Sequence, residues 1–352
     1  MKCILTRVSI PSVENPSFSR KSNKVLATCR RLGVDMLLDE MTSEQIEGSN
    51  RRSLLDNPQY RKISHKQDRN VYSKTFIIPV EDGQVTGYFF EKPAIRTGAG
   101  LKSLIVFFHS GGWMLGNMDK HILFCNHICS VTGASVLSVD YRLSPAFRFP
   151  TALHDCYATL EWASRGARYW GIDPDRIYLM GDCAGGNLAI GVSRLSRDQK
   201  GPRIAGQILF CPVTDCRMRT KSYEEFADGP VLSAKTMNFF IKNYQREPKD
   251  ILDPEFSPML SKDLSRLPPT LIITADHDVL CDDGRIFAQA LEEADTPVKL
   301  LQARDTFHGF YHYPKATGTS EVDNALRLFF RGRSLKNIEL LTNAQMRKQK
   351  DI

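Results

Sequence analysis

The chain has 352 residues, of which 42% are hydrophobic and 25% charged. That balance fits a globular protein with one large domain or two ordinary ones, and it excludes a disordered, collagen-like or coiled-coil chain. The formal net charge is +7, but residues 1–70 carry a net +5 and residues 331–352 a net +4, so the span between them is slightly acidic; no basic nucleic-acid groove is expected in the body.

The opening residues Met1 to Arg7 have no apolar stretch of leader length, and no apolar run approaches the roughly 18–20 residues of a membrane span. The nine cysteines are an odd number with no CxxC pair. Reduced thiols and a cytoplasmic location are therefore expected. In residues 1–70, Val25, Leu26, Leu32, Met36, Leu37 and Leu38 have helix-like spacing and predict one or two helices. Thr75–Val80 and Val85–Phe90, separated by Asp82-Gly83, predict a hairpin with a tight turn. Strands are then expected near 103–108, 134–140, 176–181, 206–211, 270–275 and 298–302. Helices are expected near 119–130, 151–164, 185–196, 282–294 and 320–331. Short apolar strands alternating with helices predict an α/β fold with a mostly parallel sheet covered on both faces. The interval 212–268 interrupts this rhythm and holds a helical pattern from Val231 to Tyr244. An insertion there could pack with the N-terminal helices as a lid that gates a pocket.

The segment Gly181-Asp182-Cys183-Ala184-Gly185-Gly186-Asn187 lies between a predicted strand and a predicted helix. Glycines at 181 and 185 suit a sharp turn on which the central residue is lifted above the sheet at a helix N-terminus. Here that residue is Cys183, and helix N-termini lower thiol pKa. A strand–helix turn with an ordinary buried cysteine is the plainer alternative. A second loop, His109-Ser110-Gly111-Gly112-Trp113, follows the 103–108 strand. Its small residues free backbone N–H groups to face a developing oxyanion, with the N–H of Ala184 completing the set. Of the eight histidines, His308 directly follows the last strand and is the candidate base. The acid should follow the preceding strand: Asp278 is the candidate, Asp276 competes two residues earlier, and Asp282 suits a helix cap. The order nucleophile, acid, base matches the α/β-hydrolase arrangement.

These segments, with Asp140-Tyr141-Arg142-Leu143-Ser144-Pro145, Phe149-Pro150, Asp282-Asp283-Gly284 and Phe307-His308-Gly309-Phe310, resemble the hormone-sensitive-lipase-like branch of the α/β-hydrolases, which includes carboxylesterases and arylacetamide deacetylases. The resemblance spans about residues 75–332. It implies an α/β-hydrolase fold with an eight-stranded, mostly parallel sheet, helices on both faces and a helical cap. It divides the chain into N-terminal cap helices (1–70), a catalytic core (71–213 and 259–335), a cap insertion (214–258) and a basic tail (336–352). It also implies a triad of Cys183, His308 and Asp278 and an oxyanion hole from Gly111, Gly112 and Ala184. Two departures stand out: Ser110 replaces the first glycine of the His-Gly-Gly-Gly loop, and Cys183 replaces the family's serine.

The leading expectation is thus a carboxylic ester hydrolase acting through a covalent acyl-enzyme on a small ester, thioester or amide. An acyltransferase or cyclase using the same thioester is the alternative, and a ligand-binding receptor on a hydrolase scaffold is a third. No cofactor, metal, nucleic acid or membrane span is expected: His121 and His127 with Cys125 and Cys129 lack zinc-type spacing. A homodimer is compatible with the sequence.

Overall fold

The computed structural model describes residues 18–33, 41–93, 100–116 and 118–330, with the backbone alone at 119 and 120. The expected apolar positions Met36, Leu37 and Leu38 and the tail 336–352 lie outside the described residues. Three helices open the chain: α1 (Arg20–Leu32), α2 (Ser43–Arg51) and α3 (Pro58–Ile63). Each begins at a polar cap that the sequence supplies. Ser19 accepts from the Ser22 N–H, Thr42 and Gln45 form a capping box, and Asn57 accepts from Gln59 and Tyr60.

The hairpin follows as β1 (Tyr72–Val80) and β2 (Gly83–Glu91). Val80 pairs with Gly83, so the turn residues are Glu81 and Asp82, one position earlier than Asp82-Gly83. Asp82 takes the left-handed conformation, φ 54°, which Asp tolerates better than most side chains. The alternation then runs β3 (Lys102–Phe108), α4 (Met118–Thr132), β4 (Ser135–Asp140), α5 (Thr151–Gly166), β5 (Ile172–Asp182), α6 (Ala184–Asp198) and β6 (Gly206–Phe210). After the interruption come β7 (Thr270–His277), α9 (Cys281–Glu293), β8 (Val298–Phe307) and α10 (Thr319–Phe330). The interruption itself holds α7 (Ser222–Glu225) and α8 (Ala234–Tyr244), the latter capped by Ser233.

The eight strands form one sheet in the order β1-β2-β4-β3-β5-β6-β7-β8. The β1–β2 and β2–β4 pairs are antiparallel and the rest parallel. Side-chain alternation splits the core in two. Leu104, Val106 and Phe108 of β3 pack with Leu153, Leu160, Leu188 and Val192 of α5 and α6. Ile105 and Phe107 pack on the opposite face with Phe124 and Ile128 of α4 and Val322 and Leu326 of α10. Burial of each large apolar side chain contributes about 1.5–3 kcal/mol. The parallel strands all end at one edge, where the motif-bearing loops collect. The N-terminal arm joins the α4 face: Val25, Leu26, Tyr60 and Ile63 belong to that core. The Ser22 hydroxyl donates to the Asp305 carbonyl (2.8 Å), and Lys92 pairs with Asp68 (2.7 Å).

Candidate active site

Cys183 sits between the last residue of β5 and the first of α6, at φ 56° and ψ −114°. For a residue with a Cβ this is a strained conformation, costing about 1–3 kcal/mol. Three main-chain bonds hold it there. The Cys183 N–H donates to Phe210 O (2.9 Å), and its carbonyl accepts from Asn187 N (3.2 Å) and Val213 N (3.3 Å). The flanking glycines are sterically required. A Cβ on Gly181 would lie 2.0 Å from the Gly185 oxygen, and one on Gly185 would lie 2.0 Å from the Phe108 oxygen. The missing side chain at Gly181 lets the turn close on itself, and the one at Gly185 lets it press against the end of β3.

His308 follows β8 directly, and Asp278 follows β7. The His308 Nδ1–H donates to Asp278 Oδ2 at 2.7 Å. Asp276 is engaged elsewhere: it accepts from the N–H groups of Asp305 (2.8 Å) and Thr306 (2.9 Å) and lies beside His277 (3.0 Å). Of the two candidates left by the sequence, Asp278 is the one bonded to His308. Asp282 is not the helix cap that its position suggested. It lies in the first turn of α9, accepts from Ser222 N (3.1 Å) and pairs with Arg285 (2.5 Å).

Burial alone would lower the His308 pKa. The Asp278 charge outweighs it, the Cys183 side chain adds to that effect, and the ring is held well above its ordinary value. Its Nε2 is buried and makes no well-formed hydrogen bond, leaving that nitrogen for a proton in transit. Cys183, Asp278 and His308 are each no more than 1% exposed, so the site is closed over in this state. Cys211, the residue after β6, lies beside the ring. Burial and the nearby Asp278 push its thiol up to about 12. Cys211, Asp278 and His308 are the group, among the described residues, whose donor atoms lie close enough to hold a metal ion, all within 4.8 Å. Two of the three already satisfy one another.

The loop after β3 turns back on itself through Met114 N and Leu115 N, which both donate to Gly111 O (3.2 and 2.8 Å). Gly111 (φ 119°) and Gly112 (φ 62°) adopt backbone conformations that disfavour side chains. A Cβ on Gly111 would meet Leu115 O at 1.8 Å, and one on Gly112 would meet the Phe240 ring of α8 at 2.1 Å. Two contacts that the sequence did not reveal fix this loop from outside. Asn50 of α2 donates to Met114 O (3.0 Å) and accepts from Gly116 N (2.9 Å). Trp113 stacks on Tyr244 of α8 at 4.7 Å. A third unforeseen feature is His312, four residues beyond His308, whose Nε2–H donates to Asp182 Oδ2 at 2.8 Å. Asp182 lies inside the elbow motif, but nothing in the local pattern around His312 marks it as its partner.

Comparison with known proteins bears on the family and the fold. A family model described as the alpha/beta hydrolase fold matches residues 105–312. The carboxylic ester hydrolase LipN of Mycobacterium tuberculosis is 38% identical over 264 residues, 71% of this chain and 70% of that one. An arylesterase of Saccharolobus solfataricus is 34% identical over 226 residues, 64% and 72% respectively. Among solved structures, the thermophilic carboxylesterase EstE1 from a metagenomic library superposes with a TM-score of 0.69 at 32% identity, over 78% of this chain and 90% of that one. The hyperthermophilic esterase of Pyrobaculum calidifontis gives 0.75 at 27% identity, over 87% and 97%. The match of the family model to more than half the chain, the shared sheet and the elbow at its edge lead to one conclusion: this chain belongs to the α/β-hydrolase fold family.

Proposed function

We propose that this chain hydrolyses carboxylic esters of small or medium acyl size through a covalent thioester on Cys183. It is a carboxylesterase-like hydrolase, as its relatives are named. The observation that carries the finer reading is the His308–Asp278 bond of 2.7 Å beside a cysteine held on a strained turn at a helix N-terminus. In the first half-reaction Cys183 Sγ attacks the ester carbonyl carbon. His308 Nε2 takes the thiol proton and returns it to the departing alcohol, while Asp278 holds the ring in the required tautomer. The N–H groups of Gly111, Gly112 and Ala184 receive the oxyanion. In the second half-reaction water attacks the thioester, His308 takes its proton, and the acid leaves as Cys183 recovers its hydrogen. The cap of this enzyme is proposed to comprise residues 1–70 and 214–258, around a core of 71–213 and 259–335.

Intact-mass spectrometry after mixing with a panel of p-nitrophenyl esters tests the reading. A mass increase equal to the acyl group, mapped to the Cys183 peptide and absent in Cys183→Ala, is the expected result. Full turnover by Cys183→Ala would overturn it.

A further inference from the structure

His312 lies four positions after His308, and both rings find a buried carboxylate. The His308 Nδ1–Asp278 Oδ2 distance is 2.7 Å and the His312 Nε2–Asp182 Oδ2 distance is 2.8 Å. The first pair serves the proposed reaction. We propose that the second, Asp182 with His312, is a positioning pair, which ties the loop carrying His308 to the turn carrying Cys183 and faces His308 with a second negative charge. This rests on the reading of His308 as the base given above.

Three observations converge on it. Asp182 is covalently next to Cys183, and His312 closes the short 3-10 turn Phe310–His312 that begins two residues after His308. Their bond therefore spans the two loops that must meet for a proton to pass from Sγ to Nε2. A shift of about 1 Å between such groups can cost about 10²-fold in rate. Next, the Ser110 side chain of the loop after β3 is near enough to favour the charged form of the Asp182 carboxylate. One buried carboxylate thus bonds the turn carrying Cys183 to the loop carrying His308, with Ser110 of the third segment alongside. Finally, the pair is fixed from behind. The His312 ring stacks on Phe124 of α4 at 4.3 Å and packs edge-on against His121 at 5.6 Å.

The charge has a direction as well. Burial would raise the Asp182 pKa, but His312, then His308, then Ser110 outweigh it, and the carboxylate stays ionised. The same attraction acts in reverse on His308, favouring its imidazolium. The titratable groups that face the His308 ring are Asp278, Cys183, Cys211 and Asp182. Of the two carboxylates, Asp182 is the one whose removal leaves the Nδ1 orienter in place. Replacing a buried ion pair by apolar packing is often neutral or stabilising, so stability alone gives little reason for this pair at this junction.

Histidine NMR titration separates positioning from mere support. In the Cys183→Ala protein, where no thiol titrates beside Nε2, Asp182→Asn should lower the His308 pKa by about one unit. In the protein with Cys183 intact, Asp182→Asn should reduce kcat for p-nitrophenyl acetate about 10- to 10²-fold, with KM within about threefold. His312→Gln, which keeps a donor where Nε2 stood, should retain most of kcat, whereas His312→Ala should match Asp182→Asn. An unmoved His308 titration, or equal kcat for His312→Gln and His312→Ala, would overturn the proposal. If Asp182→Asn does not fold, the two His312 variants decide. The titration arm uses no turnover, so it still reports on the pair if Cys183→Ala proves active and the covalent reading falls.

Discussion

At the C-terminal edge of the sheet, the site is set by main chain. Cys183 is pinned by three backbone hydrogen bonds, and Gly181 and Gly185 let the turn seat against β3. Above that edge the cover is held by side chains. Phe240 fills the space beside Gly112, Trp113 stacks on Tyr244, and Asn50 bridges Met114 and Gly116. Backbone geometry dictated by steric exclusion tolerates almost no substitution, whereas a cover built from packed side chains can be re-cut. The edge therefore suits the chemistry and the cover suits the choice of substrate.

The sharpest way to break that division is to remove the edge groups. Cys183→Ala should lower esterase turnover by at least about 10³-fold with the circular dichroism spectrum unchanged, since triad members act as a unit. Asp278→Asn should cost almost as much, because the base loses its orienter and the wrong tautomer becomes available. Asp276→Asn should leave kcat close to that of the parent protein. Its carboxylate serves the N–H groups of Asp305 and Thr306 in β8, so its loss should appear as a lowered Tm instead. A large kcat loss in Asp276→Asn alone would reverse the assignment.

A smaller effect is expected where the cover meets the edge. Asn50→Ala removes both hydrogen bonds to the loop that is proposed to bind the oxyanion. Its kcat should fall about 10-fold, below the about 10²–10³-fold of deleting an oxyanion donor outright. Phe240→Leu should leave kcat for p-nitrophenyl acetate nearly unchanged and extend the range of acyl lengths accepted, as read from kcat/KM across a p-nitrophenyl ester series. If Asn50→Ala changes only the acyl preference and Phe240→Leu changes only kcat, the roles given to edge and cover are exchanged.

The same contrast explains what could be read from the sequence. The strands, helices and elbow were legible because hydrophobic period, Gly spacing and chain order are local signals, and each maps onto one steric need. The places of Cys183 and His308 just after strand ends were legible for that reason. The competition between Asp276 and Asp278 stayed open in the sequence, since the two flank the end of β7, and it is the approach of the β8 loop that brings Asp278 to the His308 ring. Asn50, His312 and Cys211 were silent because their meaning lies in partners 64, 130 and 97 positions away. The lid expectation paired the N-terminal helices with the 214–258 insertion. Ile46 of α2 shares a core with Met237 and Phe240 of that insertion, while α1 and α3 join the α4 face, with Ser22 bonding to Asp305 of β8. Apolar spacing says that a helix needs a partner face without saying which one.

The smallest expected effect lies at that docking face and depends on pH. His65 follows α3, stacks on His127 of α4 at 3.7 Å and donates from Nε2 to the Tyr311 carbonyl at 2.7 Å. Burial first, then the neighbouring His127, depress its pKa to about 3, against smaller opposing effects of the Tyr311 carbonyl and Asp323; His312 also faces it and lowers it further. A histidine depressed in the folded state is protonated first in the unfolded chain. The stability it contributes is therefore complete above the unfolded value of about 6.5 and is lost as the pH falls from there toward about 3. His65→Gln keeps a donor toward Tyr311 but cannot take up a proton. Its Tm should decline less than that of the parent protein between pH 6.5 and 5, and proteolytic cleavage within 41–70 should rise less over the same range. Because His65 lies on the arm and not at the sheet edge, the His308 titration should be unaffected by the substitution. Parallel Tm curves for the two proteins would show that the arm's docking does not depend on a neutral ring at position 65.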